Sequence, residues 1–377
     1  MKDNIEIEEV LSESDKKKFI EFPYKLYWSE KNWVEPLRFD VKNNLNEKKN
    51  PFYKHAKIKL WVARKDGEIA GRIAGIINNA HNKFYNDKVG FFGFFECIND
   101  KNVSKPLFDK AMKFVKENGM DTLRGPVNPS TNDECGLLVD GFDSPPVMLM
   151  PYNPKYYIDL YEDYGLLKEK DLLALWISKD VIKDEKLMNK LNRISDMIIK
   201  KENLTIRNVN LKDFKNEVQR VREVYNNAWQ DNWGFVPMTE EEFNFIAANL
   251  KLAADPAFIE FAEIDGKPIG FSLAIPDINQ AIKGLNGKLF PFGILKFLKN
   301  KKKIDQLRVI IMGVKKEYHK KGIDAVFYRD IIKAGNTGRL RGAEISWVLE
   351  DNLAMKQTAE KLGAKVYKTY RIYDKKL

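Results

Sequence analysis

Residues 315–325, Lys-Lys-Glu-Tyr-His-Lys-Lys-Gly-Ile-Asp-Ala, have the makings of an anion site. They follow an apolar run at 306–314 (QLRVIIMGV), read as a buried central strand, and lead into a helix predicted over about 323–335. A strand that ends in a basic, glycine-containing turn at a helix N-terminus directs unpaired backbone N–H groups and the positive end of the helix dipole at one spot. The candidate binding residues are Met312 and Val314 at the strand end, His319, Lys320, Lys321 and Gly322 in the turn, and Ile323, Asp324 and Ala325 in the first helical turn. Metal chemistry has little to draw on. The chain holds three His, at 55, 81 and 319, in no metal-ligand spacing, and two Cys, at 97 and 135. No metal is expected.

A net charge of +10 on 377 residues favours anionic partners without choosing among them. Basic and aromatic residues do not interleave on one element, which argues against nucleic acid. The N-terminal MKDNIEIEEV lacks the apolar stretch of a signal peptide, and no apolar run reaches membrane length. A cytoplasmic protein with no membrane partner is expected.

The chain repeats itself. Residues 60–77 (LWVARKDGEIAGRIAGII) and 258–275 (FIEFAEIDGKPIGFSLAI) each read as strand, Asp-Gly turn, strand. Gly67 and Gly266 differ by 199. Asn32-Trp33 answers Asn232-Trp233 at offset 200, and Tyr164-Gly165 answers Leu362-Gly363 at offset 198. Two copies of one mixed α/β (α+β) fold are expected, at 1–178 and 204–377. In the first copy, 89–98 (VGFFGFFECI) is the central strand, a helix opens at Ser104-Lys105-Pro106, and a polar, Pro-rich stretch at 128–155 delays the next helix. Asp171 to Ile177 reads as that copy's last strand, and 365–373 as the last strand of the second copy. Residues 179–203 form the linker; Leu187, Leu191, Ile194 and Ile198 recur at helical spacing, so a rigid helix is expected. The second copy carries an insertion at 276–305 ending in the basic run Lys299 to Lys303.

The string GVKKEYHKKGIDA at 313–325 resembles the acyl-CoA loop of the GCN5-related N-acetyltransferases, the GNAT family. Glu350-Asp351-Asn352 followed by Glu360-Lys361-Leu362-Gly363 resembles that family's next motif. The resemblance covers 204–377 well and extends through the repeat, more weakly, to 1–178. It implies two tandem GNAT-like domains, with acetyl-CoA or another acyl-CoA held by the second and Asn352 near it. It also implies transfer of an acyl group to a small-molecule or peptide amine, with Trp229, Asn232 and Trp233 lining the acceptor pocket.

The departures are specific. His319 stands where the family has Gln or Arg, and Asp324 where it has Gly or Ala. Ala359 takes the place of the family's acid Tyr. In the first copy Tyr161 matches that Tyr and Glu96 ends the central strand, where a general base is often found, but 98–104 lacks a glycine-rich turn. The resemblance implies Glu96 and Tyr161 as catalytic candidates and a first copy without a CoA loop. Two functions stand: an acyl-CoA-dependent N-acyltransferase, or a degenerate GNAT-fold protein that senses a CoA-like or nucleotide anion.

Overall fold

The computed structural model describes residues 4–336 and 339–377; Met1–Asp3, part of the stretch weighed as a signal peptide, lie outside them. The chain forms β1 (Ile5–Glu9), α1 (Glu13–Leu26), α2 (Arg38–Asn44), β2 (Ala56–Lys65), β3 (Glu68–Asn78), α3 (Asn79–Tyr85), β4 (Val89–Cys97) and α4 (Lys101–Glu117). There follow β5 (Thr122–Gly125), β6 (Val127–Asn128), β7 (Glu134–Cys135), β8 (Leu137–Asp140), α5 (Tyr157–Asp163), β9 (Leu167–Ser178), α6 (Lys179–Ile182) and α7 (Glu185–Glu202). The remainder is β10 (Thr205–Asn208), α8 (Phe214–Ala228), α9 (Glu240–Leu250), β11 (Ile259–Ile264), β12 (Lys267–Pro276), α10 (Asn279–Ile282), α11 (Gly293–Lys301), β13 (Gln306–Val314), α12 (Ile323–Gly335), β14 (Gly342–Leu349), α13 (Leu353–Lys361) and β15 (Lys365–Lys376).

Two compact units result. Unit 1 comprises Met1–Leu172, Ile282–Phe297 and Lys368–Leu377, and unit 2 comprises Leu173–Ala281 and Leu298–Tyr367. The sheet of unit 1 runs β1-β2-β3-β4-β5-β15, and that of unit 2 runs β10-β11-β12-β13-β14-β9. In each, four antiparallel strands are followed by one parallel pair, β4 with β5 or β13 with β14, joined by a crossover helix. The Asp-Gly turns occupy the same place in both orders. Asp66 and Gly67 have φ of 52° and 85°, and Asp265 and Gly266 have 50° and 73°, the left-handed pair a tight hairpin needs. Each hairpin also shifts register once, after Ala63 and after Ala262, again 199 residues apart.

These units differ from the expected spans of 1–178 and 204–377. The sixth strand of unit 1 is β15, from the chain's end, and unit 2 takes the later part of β9. Alternating apolar residues mark a strand but not the edge it joins, so the offset of 198 could not show the exchange. The helix expected as a linker is α7. It starts at an Asp184 cap whose carboxylate accepts from Leu187 N, and it packs Leu191 and Ile198 into unit 2. It therefore belongs to that unit's core. In unit 1, α4 and α5 cover Phe92, Phe95, Leu107, Phe108 and Tyr161 on one face of the sheet. In unit 2, α7, α12 and α13 cover Leu307, Val309, Ile345 and Ala359 in the same way.

Candidate functional site

The parallel pair in each unit is short. β13 pairs with β14 only over Gln306–Val309, and β4 with β5 only over Val89–Phe91. Beyond those residues the central strand continues alone on that side, and a gap opens. Its backbone groups there need partners.

In unit 2 the gap is bordered by free donors. Lys315 N bonds Ile269 O at 2.8 Å, so 315 and 269 form a hydrogen-bonded pair of the antiparallel ladder. Alternation then turns the N–H and C=O of Val314 and of Met312 away from β12, toward the gap. Val314 O meets His319 Nε2 at 2.9 Å. Among the described residues no side chain accepts from the N–H groups of Met312 and Val314. Beside them α12 begins at Gly322, whose φ of 78° is left-handed and which gives the helix no side-chain cap. Ala325 N bonds Gly322 O at 3.0 Å, which leaves Ile323 N and Asp324 N as the uncapped first-turn groups. Ile323 is buried in the core, Ala325 O accepts from Ser195 Oγ at 3.3 Å, and exposed Asp324 sits in the first turn without capping it.

The turn's lysines divide into two kinds. Lys315 pairs with Glu223, Lys316 with Asp231, and Lys321 with Glu202 at 2.7 Å, which holds the Glu202 carboxyl below its usual range. Lys320, exposed at φ 62°, stands outside these pairs. Trp229 packs against the end of β13: a Cβ on Gly313 would stand 2.1 Å from its ring. Tyr225 stacks behind the indole at 5.2 Å. On β14, past the paired register, the half-buried Trp347 keeps a buried indole N–H without a partner. Near it Arg308 Nε donates to Ser346 Oγ at 3.0 Å, and Ser346 and Tyr367 donate to the fully buried Glu344.

Unit 1 fills the same gap with its own groups. Ile98 N bonds Ala70 O at 2.9 Å, so Cys97 answers Val314. Cys97 N donates to Tyr157 Oη at 2.8 Å, and Cys97 O accepts from Tyr156 Oη at 2.7 Å. Phe94 N donates to Asn128 Oδ1 at 2.6 Å. Strand β6 lies so close that a Cβ on Gly93 would be 1.6 Å from Val127 O. The helix N-terminus is occupied too. Asp100 caps α4, accepting from Asn102 N at 2.8 Å, and binds Lys65 at 2.7 Å.

Glu96 lies at the centre of this closed arrangement. Tyr157 donates to its Oε2 at 2.8 Å, Tyr27 donates to the same oxygen, and Arg72 Nη2 stands 3.6 Å from Oε1. Burial pushes its carboxyl up, against the opposing pull of Arg72. Tyr161 is one helical turn beyond Tyr157 on the same face of α5, caged by Phe92, Phe95, Phe108 and Tyr373. Burial lifts its hydroxyl pKa well above the usual value.

The sequence-derived candidates therefore separate. Met312, Val314, His319, Lys320, Gly322 and Asp324 come together at the end of β13, with Trp229 on its flank. Trp233 is half-buried and Asn232 N bonds Trp229 O at 2.9 Å, closing the turn after α8. Asn352 spends its side chain capping α13, accepting from Met355 N at 3.2 Å. Ala359, at the position of the expected acid, is fully buried. Sequence reasoning missed Tyr27, Arg72, Tyr157, Asn128 and Asp100. Asp100, just before a helical pattern, carried a cap signal; the others meet β4 across 24 or more residues of chain or across a sheet.

No family model matches the sequence. Full-length relatives do. The chain is 38% identical over 373 residues to Protein YghO of Escherichia coli K12, covering 97% of this chain and 94% of that one. It is 35% identical over 381 residues to the bacterial ceramide synthase of Caulobacter vibrioides, covering 98% and 96%. The chain belongs to their family. Among solved structures it resembles a tandem GNAT protein from the clavulanic acid biosynthesis pathway, with TM-score 0.58 and 10% identity over 99% of this chain and 98% of that one. It also resembles a GCN5-related N-acetyltransferase from Anabaena variabilis, with TM-score 0.52 and 11% identity over 98% and 72%. Those likenesses establish the fold: a tandem GCN5-related N-acetyltransferase architecture, as the residues at 313–325 implied.

Proposed function

We propose that the protein transfers an acyl group from an acyl-CoA thioester to the amine of a long-chain amino alcohol, with unit 2 holding the CoA. The observation that carries this reading is the contrast between the gaps. Only at β13 are the outward N–H groups left for a ligand, beside a helix N-terminus capped by glycine. A ceramide is the fatty amide of a long-chain amino alcohol, and the 35% identity to a ceramide synthase supports an acceptor of that class.

In this reading the N–H groups at the start of α12, with Lys320, bind the pyrophosphate. An acyl-CoA supplies the activated acyl group. Val314 N–H donates to the thioester oxygen and holds the charge that develops as the amine nitrogen attacks. The N–C bond forms, the C–S bond breaks, and the amine proton leaves to water or to the thiolate. Holding amine and thioester together supplies much of the acceleration, so a site without the acid Tyr still turns over.

Ala359, buried where the resemblance implies the acid Tyr, favours a second reading, a sensor that binds a CoA-like or nucleotide anion without turnover. The test is to incubate the full chain with acyl-CoAs of several lengths and a long-chain amino alcohol, following thiol release and amide mass. Thiol release matched by amide is expected, and Lys320→Glu should weaken CoA binding. CoA binding without thiol release would select the sensor, and no CoA binding would overturn both readings.

A further inference from the structure

The insertion at 276–305 takes no part in the site above. Its helix α11 turns Phe297 inward and leaves Leu295 and Leu298 69% and 50% exposed. Just before it, Phe290 and Phe292 are 72% and 81% exposed. Phe292, Leu295 and Leu298 recur every third residue and so form one outward row along the segment. Lys296 and Lys299 stand four residues after Phe292 and Leu295, which sets a basic row beside the apolar one. Lys288, Lys301, Lys302 and Lys303 flank both, and all six lysines are exposed. Residues 284–304 contain no Asp or Glu.

Folding alone gives no reason to expose four large apolar side chains. A patch of this kind rimmed by charge marks a contact. An apolar row edged with lysines, on a helix far too short to span a bilayer, is the pattern of a segment that lies in the interface plane. No helix among the described residues is long and apolar enough to cross a membrane, but lying on one requires no such helix.

We infer that residues 288–303 seat the protein on the surface of an anionic lipid bilayer. Phe290, Phe292, Leu295 and Leu298 enter the boundary between headgroups and acyl chains; Lys288, Lys299, Lys302 and Lys303 lie among the anionic headgroups, and Lys296 and Lys301, which donate to Gly284 O and Leu252 O at 2.9 Å, add their charge behind them. Charge complementarity selects this occupant: six cations with no acid among them match a surface of a single opposite sign. The inference rests on exposure and charge and holds whether or not the chain transfers acyl groups.

The experiment is co-sedimentation of the full chain with vesicles of phosphatidylcholine, with and without phosphatidylglycerol. Binding should require phosphatidylglycerol and weaken with salt. Each lysine near an anionic surface contributes about fivefold, so the triple change Lys299→Gln, Lys302→Gln, Lys303→Gln should lower partitioning about a hundredfold. The triple change Phe290→Ser, Phe292→Ser, Leu295→Ser should abolish it. These side chains are exposed, so unchanged melting of both variants checks the fold. Equal sedimentation with and without phosphatidylglycerol, or full binding by the apolar variant, would overturn the inference. So would a wild-type dimer that ignores vesicles and that the apolar variant converts to monomer, since the patch would then join two copies. Thiol release from a short-chain, water-soluble acyl-CoA in vesicle-free buffer reports on acyl transfer separately. Both patch variants should retain it if that reading holds. If the wild type shows none, vesicle binding is still scored alone.

Discussion

Replacing Glu96 by Gln removes one charge from a pocket that keeps Arg72. The two side chains are 15% and 8% exposed and stand 3.6 Å apart. Burial pushes the carboxyl up and the guanidinium down, so for each group the loss of water outweighs the attraction of its partner. The fold, with the Tyr27 and Tyr157 hydroxyls, holds the pair in place. Removing one member of a buried pair strands the other and costs about 3–5 kcal/mol. The Gln carbonyl can still accept from the tyrosines, which puts the expected loss near 3 kcal/mol on that scale. At about 2–4 °C per kcal/mol for a unit of this size, its unfolding transition should fall by roughly 6–12 °C. The double change Glu96→Gln with Arg72→Met removes both charges and should melt within a few degrees of the unchanged chain. Scanning calorimetry measures this, and thiol release below both transitions measures turnover. A general base contributes about 10²–10⁴ in rate, so its loss would appear in both variants whatever their stability. If Glu96 only latches the closed gap of unit 1, the double variant turns over normally. A double variant that melts normally yet has lost a hundredfold in turnover refutes the reasoning.

Three further outcomes are expected. Glu260, buried on β11 beside Asp330, has a carboxyl pushed up to about 8 by burial. The folded state therefore binds a proton the unfolded state has released between about pH 4.5 and 8, and stability falls as pH rises through that window. Glu260→Gln should flatten the fall, leaving the melting point unchanged near pH 5 and raising stability by a few kcal/mol at pH 8.5, at roughly 1.4 kcal/mol per pKa unit. Asp324→Asn removes a charge from the open start of α12; CoA affinity by calorimetric titration should rise several-fold, since a unit charge at about 4 Å is worth roughly 1–4 kcal/mol between water and a protein surface. The same variant should lose about 0.3–1 kcal/mol of stability with its helix-dipole contact. Gly313→Val drives a side chain into the Trp229 ring and should cost about 1–3 kcal/mol by overpacking, read as a lower melting point and shifted tryptophan emission.

The fold was legible where local chemistry decides it. Asp66-Gly67 and Asp265-Gly266 fix two hairpins through positive φ, and a glycine after a basic turn marks where α12 begins. The candidate anion site at the end of β13 was legible for the same reason: Met312 to Ala325 are consecutive. The exchange of sixth strands was not, because 171–177 and 365–373 have the same period and either could complete either sheet. Nor was the closure of unit 1. Tyr157 and Asn128 reach β4 from 60 and 34 residues away, and a Tyr reads alike whether it packs, as Tyr161 does, or caps a strand's N–H, as Tyr157 does. The run Lys299–Lys303 was visible, but the exposure of Phe290, Phe292 and Leu295 depends on how α11 turns.

On the proposed reading, the closure of unit 1 lets one copy do without a ligand while the other binds one. An open gap between diverging strands carries a standing cost in unpaired backbone groups unless a ligand or water satisfies them. Unit 1 meets that demand with Tyr156, Tyr157 and Asn128 and places Asp100 at its helix end. Tyr157 and Asn128 give the strand's N–H groups their acceptors, Tyr156 donates to Cys97 O, and Asp100 gives the helix dipole its anion, roles a bound acyl-CoA could otherwise share. In unit 2 His319 meets Val314 O, but on the proposed reading the N–H groups of Met312 and Val314 are left for the ligand and the unit bears that cost, as sites that bind do.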